Sequence, residues 1–176
     1  VVLDAAGEPT GVLVDAAADA VWAVVPRPDS LAKVAALQAA EERLVAVGLT
    51  SVVDAGLSVD DIALIAAMHA AGDLKLRVVA MAADEPATWD WFAAHEPWVT
   101  DRLVARSVKF YLDGALGSRG AALNAPYADR PDWKGLVLLD SAEFGERLER
   151  CAELGLQAAT HAIGDRAMDL ALHLYG

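Results

Sequence analysis

The sequence predicts an α/β fold assembled from parallel βα units. Two observations carry that expectation. Four short apolar segments of strand character alternate with helical segments, and most of those helical segments close on a glycine that a strand follows almost at once. Strands connected in this way run parallel and are expected to be buried, either beneath helices on both faces or closed into a barrel. Part of a (β/α)8 barrel and a doubly wound open sheet both answer to that pattern.

Residues 1–28 read as an irregular segment, with a turn at Gly7-Glu8-Pro9 and a break at Pro26 and Pro28; the βα units fill residues 29–176. Asp29 or Ser30 caps a first helix with Leu31, Val34, Leu37 and Leu44 at its apolar positions and Gly48 at its end, and LTSVVDAG follows as a β-branched strand. Ser58 and Asp61 open a second helix that carries Ile62, Ile65 and Met68 and stops at Gly72, before the strand LKLRVVAMA. ATWDWFAAHE, between Pro86 and Pro97, is an aromatic helical segment whose Trp89 and Trp91, with Trp98, suit the anchoring of a helix to its sheet. In RSVKFYLDG, Val108, Phe110 and Leu112 alternate with Ser107, Lys109, Tyr111 and Asp113, the period of a strand with one apolar face. A loop from about Ala115 to Leu139 then breaks the rhythm, and loops of that length in a compact domain usually serve function. Asp140 and Glu143 offer a capping box for the next helix, Gly155 ends it, LQAATHAIG is the fourth strand, and Asp165 caps a last helix through Leu170 and Leu174.

Composition narrows the function classes. Fourteen Lys and Arg stand against 26 Asp and Glu, a formal net charge of −12, which disfavours a phosphate-backbone partner and argues for no nucleic acid. No apolar run approaches the roughly 20 residues that span a bilayer, so no membrane partner is expected. The single cysteine, Cys151, cannot form an internal disulfide, and a reducing, cytoplasmic location is the expectation. Cys151 shares a helical face with Phe144, Leu148 and Leu154 and reads as a small buried hydrophobe. A homo-oligomer is left open. The chain opens at Val1 without methionine and stops at Gly176 after an amphipathic helix, as an excerpt from a larger polypeptide would.

Polar residues gather at the carboxyl ends of the strands: Asp54, then Lys109 with Asp113, then His161. In a barrel and in an open sheet alike, that rim holds catalytic groups or ligands. With Val108, Phe110 and Leu112 beneath the helices, Lys109, Tyr111 and Asp113 turn inward, and His161 shares a face with Gln157 and Ala159. The residues leave three readings of Lys109 open: a solvated lysine, a partner of Asp113, or an amine of depressed pKa acting as base, Schiff-base former or carbamate. His161 is either a hydrogen-bonded core histidine or a metal ligand or general base. His69, His95 and His173 fall in helical segments, where surface or packing roles are expected. No two histidines are separated by one residue, and the chain has no CxxC, GxGxxG or Walker-type loop.

Four strings go further. GEPTGVLVDAA, GLTSVVDAG, VKFYLDGALGSRGAALNAPYADRP and GLQAATHAIGDRA resemble, in the same order and across nearly the whole chain, segments of the YtcJ-like metal-dependent hydrolases. These are a branch of the amidohydrolase superfamily that includes N-substituted formamide deformylases. DGALGSRGAAL and HAIGDRA are the specific strings; GLTSVVDAG alone is weak.

The resemblance implies an α/β fold that is a partial TIM barrel, running from just before the barrel's second strand through the helix after its fifth. It implies that Lys109, at the fourth-strand lysine position, is carboxylated by carbon dioxide and bridges metals, and that His161 is the fifth-strand metal ligand. The implied cofactor is a divalent metal, zinc by default, one or two ions, with the carbamate on Lys109; the implied partner is a small-molecule amide-type substrate. Asp113, Ser118 and Arg119 follow the lysine and are candidates for the substrate side. The family's first-strand His-x-His, sixth-strand histidine and eighth-strand aspartate have no counterpart here, so the chain alone is not expected to hydrolyse substrate. Two other readings remain at this stage: a non-catalytic α/β module binding an anionic ligand through Lys109 and Asp113, and a degenerate barrel kept as scaffold.

Overall fold

The computed structural model describes residues 1–13 and 16–176. Helices α1 (Ala16–Trp22) and α2 (Ser30–Ala46) lead into β1 (Ser51–Leu57), α3 (Val59–Ala71), β2 (Arg77–Ala83), α4 (Pro86–Ala94), β3 (Trp98–Val99), β4 (Leu103–Tyr111), α5 (Ser141–Glu153), β5 (Gln157–His161) and α6 (Asp165–Tyr175). The first 28 residues are therefore less irregular than their prolines and glycines suggest. Beyond α1 they hold a small antiparallel turn in which Asp4 Oδ1 accepts from Ala6 and Glu8 N–H groups and Leu3 bridges Pro9.

Strand order separates the two candidate architectures. β1 pairs parallel with β2, β2 with β4, and β4 with β5, so the four long strands lie side by side in the order they occur in the chain. A doubly wound sheet reverses its order at a switch point; a barrel does not. The two-residue β3 pairs antiparallel with Val104 and Ala105 of β4, ahead of the stretch of β4 that β5 occupies.

Burial is one-sided. Val78, Ala80 and Ala82 of β2 are buried, as are Val108 and Phe110 of β4, whereas Val79 and Tyr111 on the opposite face are exposed. The covered face packs against Ile62, Ile65 and Met68 of α3, Phe92 of α4, Phe144 and Cys151 of α5, and Ala167 and Ala171 of α6. Among the described residues, helices cover one face of the lysine-bearing strand, and the four parallel strands do not close on themselves.

Capping follows the sequence closely, with two adjustments. Asp29 caps α2 by accepting from Ala32 N–H, Ser58 caps α3 by accepting from Asp61, and Asp140 caps α5 by accepting from Glu143. The Glu143 carboxylate does not return to the cap, however; it pairs with Arg147 at 3.1 Å. The residue capping α6 is Gly164, and Asp165 instead accepts from Arg166 and Asn124 N–H groups. Leu31, expected on the apolar face of α2, is 81% exposed; the apolar side chains of α2 that pack on the core are Val34 and Leu37.

Two bulges set which side chains face inward. At Gly56 (φ 91°) β1 carries one residue more than β2, with Ala55 opposite Met81 and Leu57 opposite Ala82. In β4 the pairing steps from Val104–Val79 to Ser107–Met81, so Ala105 and Arg106 together oppose Ala80. Leu103, paired with the buried Val78, faces the helices; past the bulge Val108, paired with the buried Ala82, does so. Without the extra residue Lys109 would share the face of Leu103 and point under the helices. The bulge turns it to the open face.

Candidate functional site

Lys109 and His161 come to one face of adjacent strands at their carboxyl ends. Lys109 lies opposite Ala159 and Ala83, and His161 lies opposite Tyr111. On β5, Thr160 points the other way and shares a 2.7 Å hydrogen bond with the Tyr175 hydroxyl of α6, which confirms the facing of its neighbour His161.

The Lys109 ammonium has an unusual environment for a lysine. Nζ donates to the Phe110 carbonyl at 3.1 Å and sits 4.2 Å from the centroid of the Tyr111 ring. Among the described residues no carboxylate pairs with it, Asp113 included. The side chain is half-buried, and burial pulls its pKa below the ordinary lysine value. Burial works against the charged form, whereas the Phe110 carbonyl and the Tyr111 ring face are both partners that suit an ammonium. A cleft of about 390 Å³ opens beside it, lined by Ala55, Gly56, Ala83, Tyr111 and Leu138 among others.

The His161 imidazole tilts against Tyr111, with ring centroids 5.5 Å apart. Its Nε2 is buried without a hydrogen-bond partner and lies 3.7 Å from Asp113 Oδ1. A quarter of the side chain is nevertheless exposed, so that exposure lies away from Nε2.

Asp113 occupies a different place from the substrate-side position expected of it. It is 1% exposed and accepts three backbone N–H groups: Ala122 at 2.9 Å and Gly164 at 2.7 Å on Oδ2, and Ile163 at 3.0 Å on Oδ1. One carboxylate thereby joins the end of β4, the long loop and the turn after His161. Buried and engaged in this way, Asp113 is not free to contact a ligand, which removes one of the two residues the anion-binding alternative needs.

Ser118 and Arg119 lie in the loop on exposed turns. Ser118 Oγ donates to the Ala115 carbonyl at 3.2 Å. Arg119, at φ 61°, is paired with Asp129 at 2.7 Å, which holds the guanidinium within the loop and raises its already high pKa. Asp54 does not join the group either. It pairs with Ala80, which faces the helices, and lies with Lys33 and Asp61 in a cleft on that side. The lesser histidines behave as expected: His69 Nε2 bonds the Leu76 carbonyl at 2.9 Å, and the His95 ring stacks on Trp91. Trp91 also stacks on Trp98, tying α4 to β3.

The loop is pinned by close backbone packing, which no motif in the sequence announces. The peptide of Ala121 and Ala122 passes so near Gly135 and Gly164 that a Cβ at either would lie within 2 Å of a carbonyl oxygen. Tyr127 donates to the Ala121 carbonyl and Trp133 to that of Arg119.

The residues present fit part of a metal centre. A lysine carrying a carboxylate on Nζ and an imidazole with an unpartnered nitrogen would be donors suited to a divalent cation. Among the described residues no three His, Cys, Asp or Glu side chains converge as a complete ligand set, so a metal held at Lys109 and His161 would need further ligands.

Comparison with known proteins agrees with this geometry. Residues 1–175 match the family model described as "Amidohydrolase family". The chain is 32% identical over 178 residues to "Putative amidohydrolase YtcJ" of Bacillus subtilis (strain 168), covering 98% of this chain and 33% of that protein. It is 30% identical over 182 residues to "Protein LONG AFTER FAR-RED 3" of Arabidopsis thaliana, covering 96% of this chain and 31% of that one. The chain thus spans about a third of the length of the curated relatives it matches. Two crystal structures of uncharacterized metal-dependent hydrolases superpose on it. The Pyrococcus horikoshii OT3 protein has a TM-score of 0.78 at 29% identity, over 84% of this chain and 31% of that one. The Pyrococcus furiosus protein has a TM-score of 0.79 at 30% identity, over 86% and 32%. The in-order parallel strands with helices on one face are a partial barrel of the metal-dependent hydrolase type, and the chain belongs to the amidohydrolase family.

Proposed function

We propose that this chain is part of the catalytic barrel of a metal-dependent hydrolase that cleaves non-peptide C–N bonds of the amide type in small molecules, using metal-activated water. The observation that carries the reading is the pairing of a half-buried lysine that no carboxylate neutralises with a histidine whose buried nitrogen is unpartnered, both on one face at the carboxyl ends of adjacent strands. A buried ring nitrogen is ordinarily hydrogen-bonded, and the one hydrogen bond of Lys109 Nζ goes to a neutral carbonyl rather than to a carboxylate.

Lys109 serves as a ligand only after modification. Its neutral Nζ adds to the carbon of carbon dioxide, a proton leaves, and the product is an anionic carbamate with two oxygen donors. Burial shifts the lysine pKa downward, towards the neutral amine this needs, and the Tyr111 ring lies against one side of Nζ. His161 contributes a neutral ring nitrogen. A divalent cation held there, zinc by default for such donors, supplies Lewis acidity to a substrate carbonyl and an activated water. The cleft beside Lys109, apolar at Ala55, Leu138 and Leu139 and polar at Asp84, offers room for a small amide-type substrate.

The test uses the protein at its full natural length. Metal content is measured together with a ¹³C spectrum after equilibration with labelled bicarbonate, and amide hydrolysis is followed on a panel of small N-acyl and N-formyl compounds. The expected result is bound metal, a carbamate resonance that Lys109→Ala abolishes, and loss of both metal and hydrolysis in that variant. A Lys109→Ala protein that kept its metal and its hydrolytic activity would overturn the proposal.

A further inference from the structure

We infer that the amino ends of the strands carry a binding site for a small multivalent oxyanion, a phosphate or a polycarboxylate. The site shares no residue with the metal reading of Lys109 and His161 and does not depend on it.

A cleft of about 460 Å³ opens there, with Val45 and Thr50 on one side and Lys75, Arg77, Asp101 and Arg102 around it. Three cations thus meet one carboxylate at a single cleft, in a chain whose formal net charge is −12. Among the described residues none of the three has a carboxylate at ion-pair distance, Asp101 included. Glu41 reaches this corner from α2, but its Oε1 accepts the backbone N–H groups of Lys75 and Leu76, at 2.6 Å each, and so holds the chain rather than the ammonium.

Strand pairing explains why the charges converge. Leu74, Leu76 and Val78 are buried, so the alternate residues Lys75 and Arg77 turn the other way. Val78 lies opposite Leu103, which puts Arg77 and Arg102, one residue earlier on each side, next to one another. The 2.8 Å bond from Val78 N–H to the Arg102 carbonyl fixes that register. Like charges set side by side across a sheet repel, and an anion bound between them removes the repulsion. Arg102 is held in place as well: its guanidinium donates to the Lys75 carbonyl at 2.6 Å, which keeps it beside the lysine and leaves its other N–H groups for a ligand. Two guanidinium forks and an ammonium match an oxyanion of two or more charges, because each fork presents paired donors to a phosphate or a carboxylate. Six residues of β2, roughly 20 Å of strand, separate Arg77 from Ala83, the residue opposite Lys109. An anion bound here stabilises the amino end of the sheet and does not reach Lys109.

The test uses the full-length protein at an ionic strength of about 0.15 M, where loose surface attraction is screened. Calorimetric titration with pyrophosphate, orthophosphate and citrate, each at matched ionic strength against sodium chloride, reads the affinity, and the phosphate and citrate arms separate the two oxyanion classes. The expected result is saturable binding of one anion per chain and a Tm that climbs with its concentration. Arg77→Gln should weaken binding about 10–100-fold, as loss of a charged hydrogen-bond donor does. Arg77→Lys, which keeps the charge and loses the fork, should recover only part of it. Arg130→Gln removes the same charge from the long loop, where Arg130 faces Asp132, and should leave the affinity unchanged.

Absence of saturable binding of all three anions at millimolar concentration overturns the inference, and that result needs no variant. So does an Arg77→Gln protein that binds as the wild type does. Equal losses in Arg77→Gln and Arg130→Gln overturn it too, because they reduce the effect to net charge. If Arg77→Gln does not fold, Arg77→Lys is compared with Arg130→Gln in its place, and equal affinities in those two overturn the assignment to Arg77.

Discussion

Gly164→Ala should destabilise the protein sharply although it adds a single methyl at a backbone conformation that any residue adopts, φ −71°. The new Cβ would lie 1.8 Å from the Ala122 carbonyl oxygen and 2.6 Å from its nitrogen. Ordinary van der Waals contact begins near 3.5 Å, so the loop peptide must retreat by more than about 1.5 Å. A retreat of that size breaks the Arg166 N–H bond to the Ala122 carbonyl, now 3.1 Å, and the Ala122 N–H bond to Asp113, now 2.9 Å. One neutral bond at about 1 kcal/mol and one to a carboxylate at about 1.5–3 kcal/mol give a loss of about 2.5–4 kcal/mol. For a chain of this size that lowers Tm by roughly 5–15 °C. Gly117→Ala, in the same loop, is the control: its Cβ meets nothing within 4 Å, and its effect should stay within about 0.5 kcal/mol. Thermal unfolding followed by circular dichroism reads both, and limited proteolysis of residues 115–139 reads release of the loop. If Gly164→Ala melts with Gly117→Ala and the loop stays protected, the close packing argued above is wrong.

Phe110→Ala should cost about 3–5 kcal/mol in urea unfolding, because the 1%-exposed ring is packed between Trp89 and Phe144 and leaves a cavity under the helices; Phe110→Leu should cost markedly less. The buried Cys151 thiol, pushed up to about 11 mainly by burial, should resist aromatic disulfide reagents near pH 8 in the native state and react on unfolding. The same shift has a stability sign. The unfolded thiol ionises near its ordinary 9.0 while the native one keeps its proton, so stability is intact below pH 9 and falls as pH rises towards 11. Cys151→Ala should lack that slope in urea midpoints measured between pH 8 and 11; an equal slope in both proteins would assign the titration elsewhere.

The candidate site was legible in the sequence in proportion to how local its signals are. Lys109 and His161 stood out because each interrupts an apolar alternation near the end of a strand, and the structure brings them to one face. Tyr111 was recognisable as inward-facing from the same alternation, though not as the ring lying against the lysine. Asp113 reads in the sequence as a substrate-side candidate, and nothing near it in the chain reveals that Ile163 and Gly164, some 50 residues on, turn their N–H groups toward it. Ser118 and Arg119 were chosen for following the lysine closely, but the loop folds back on itself and Asp129 takes the guanidinium.

By itself the sequence determined the order of the elements, the apolar face of Val108, Phe110 and Leu112, the caps at Ser58 and Asp140, and the family strings that single out Lys109 and His161. These depend on residues within a turn or two of one another, where dihedral preference and periodic burial act directly. Only the tertiary structure decided the rest: the in-order sheet that excludes a doubly wound fold, the bulge at Ala105 and Arg106 that turns Lys109 to the open face, and the buried Asp113 carboxylate that ties the long loop to the turn after His161. Each of these depends on hydrogen bonds between segments far apart in the chain, where one residue of register reverses a side chain and a few tenths of an ångström separate a bond from a vacancy.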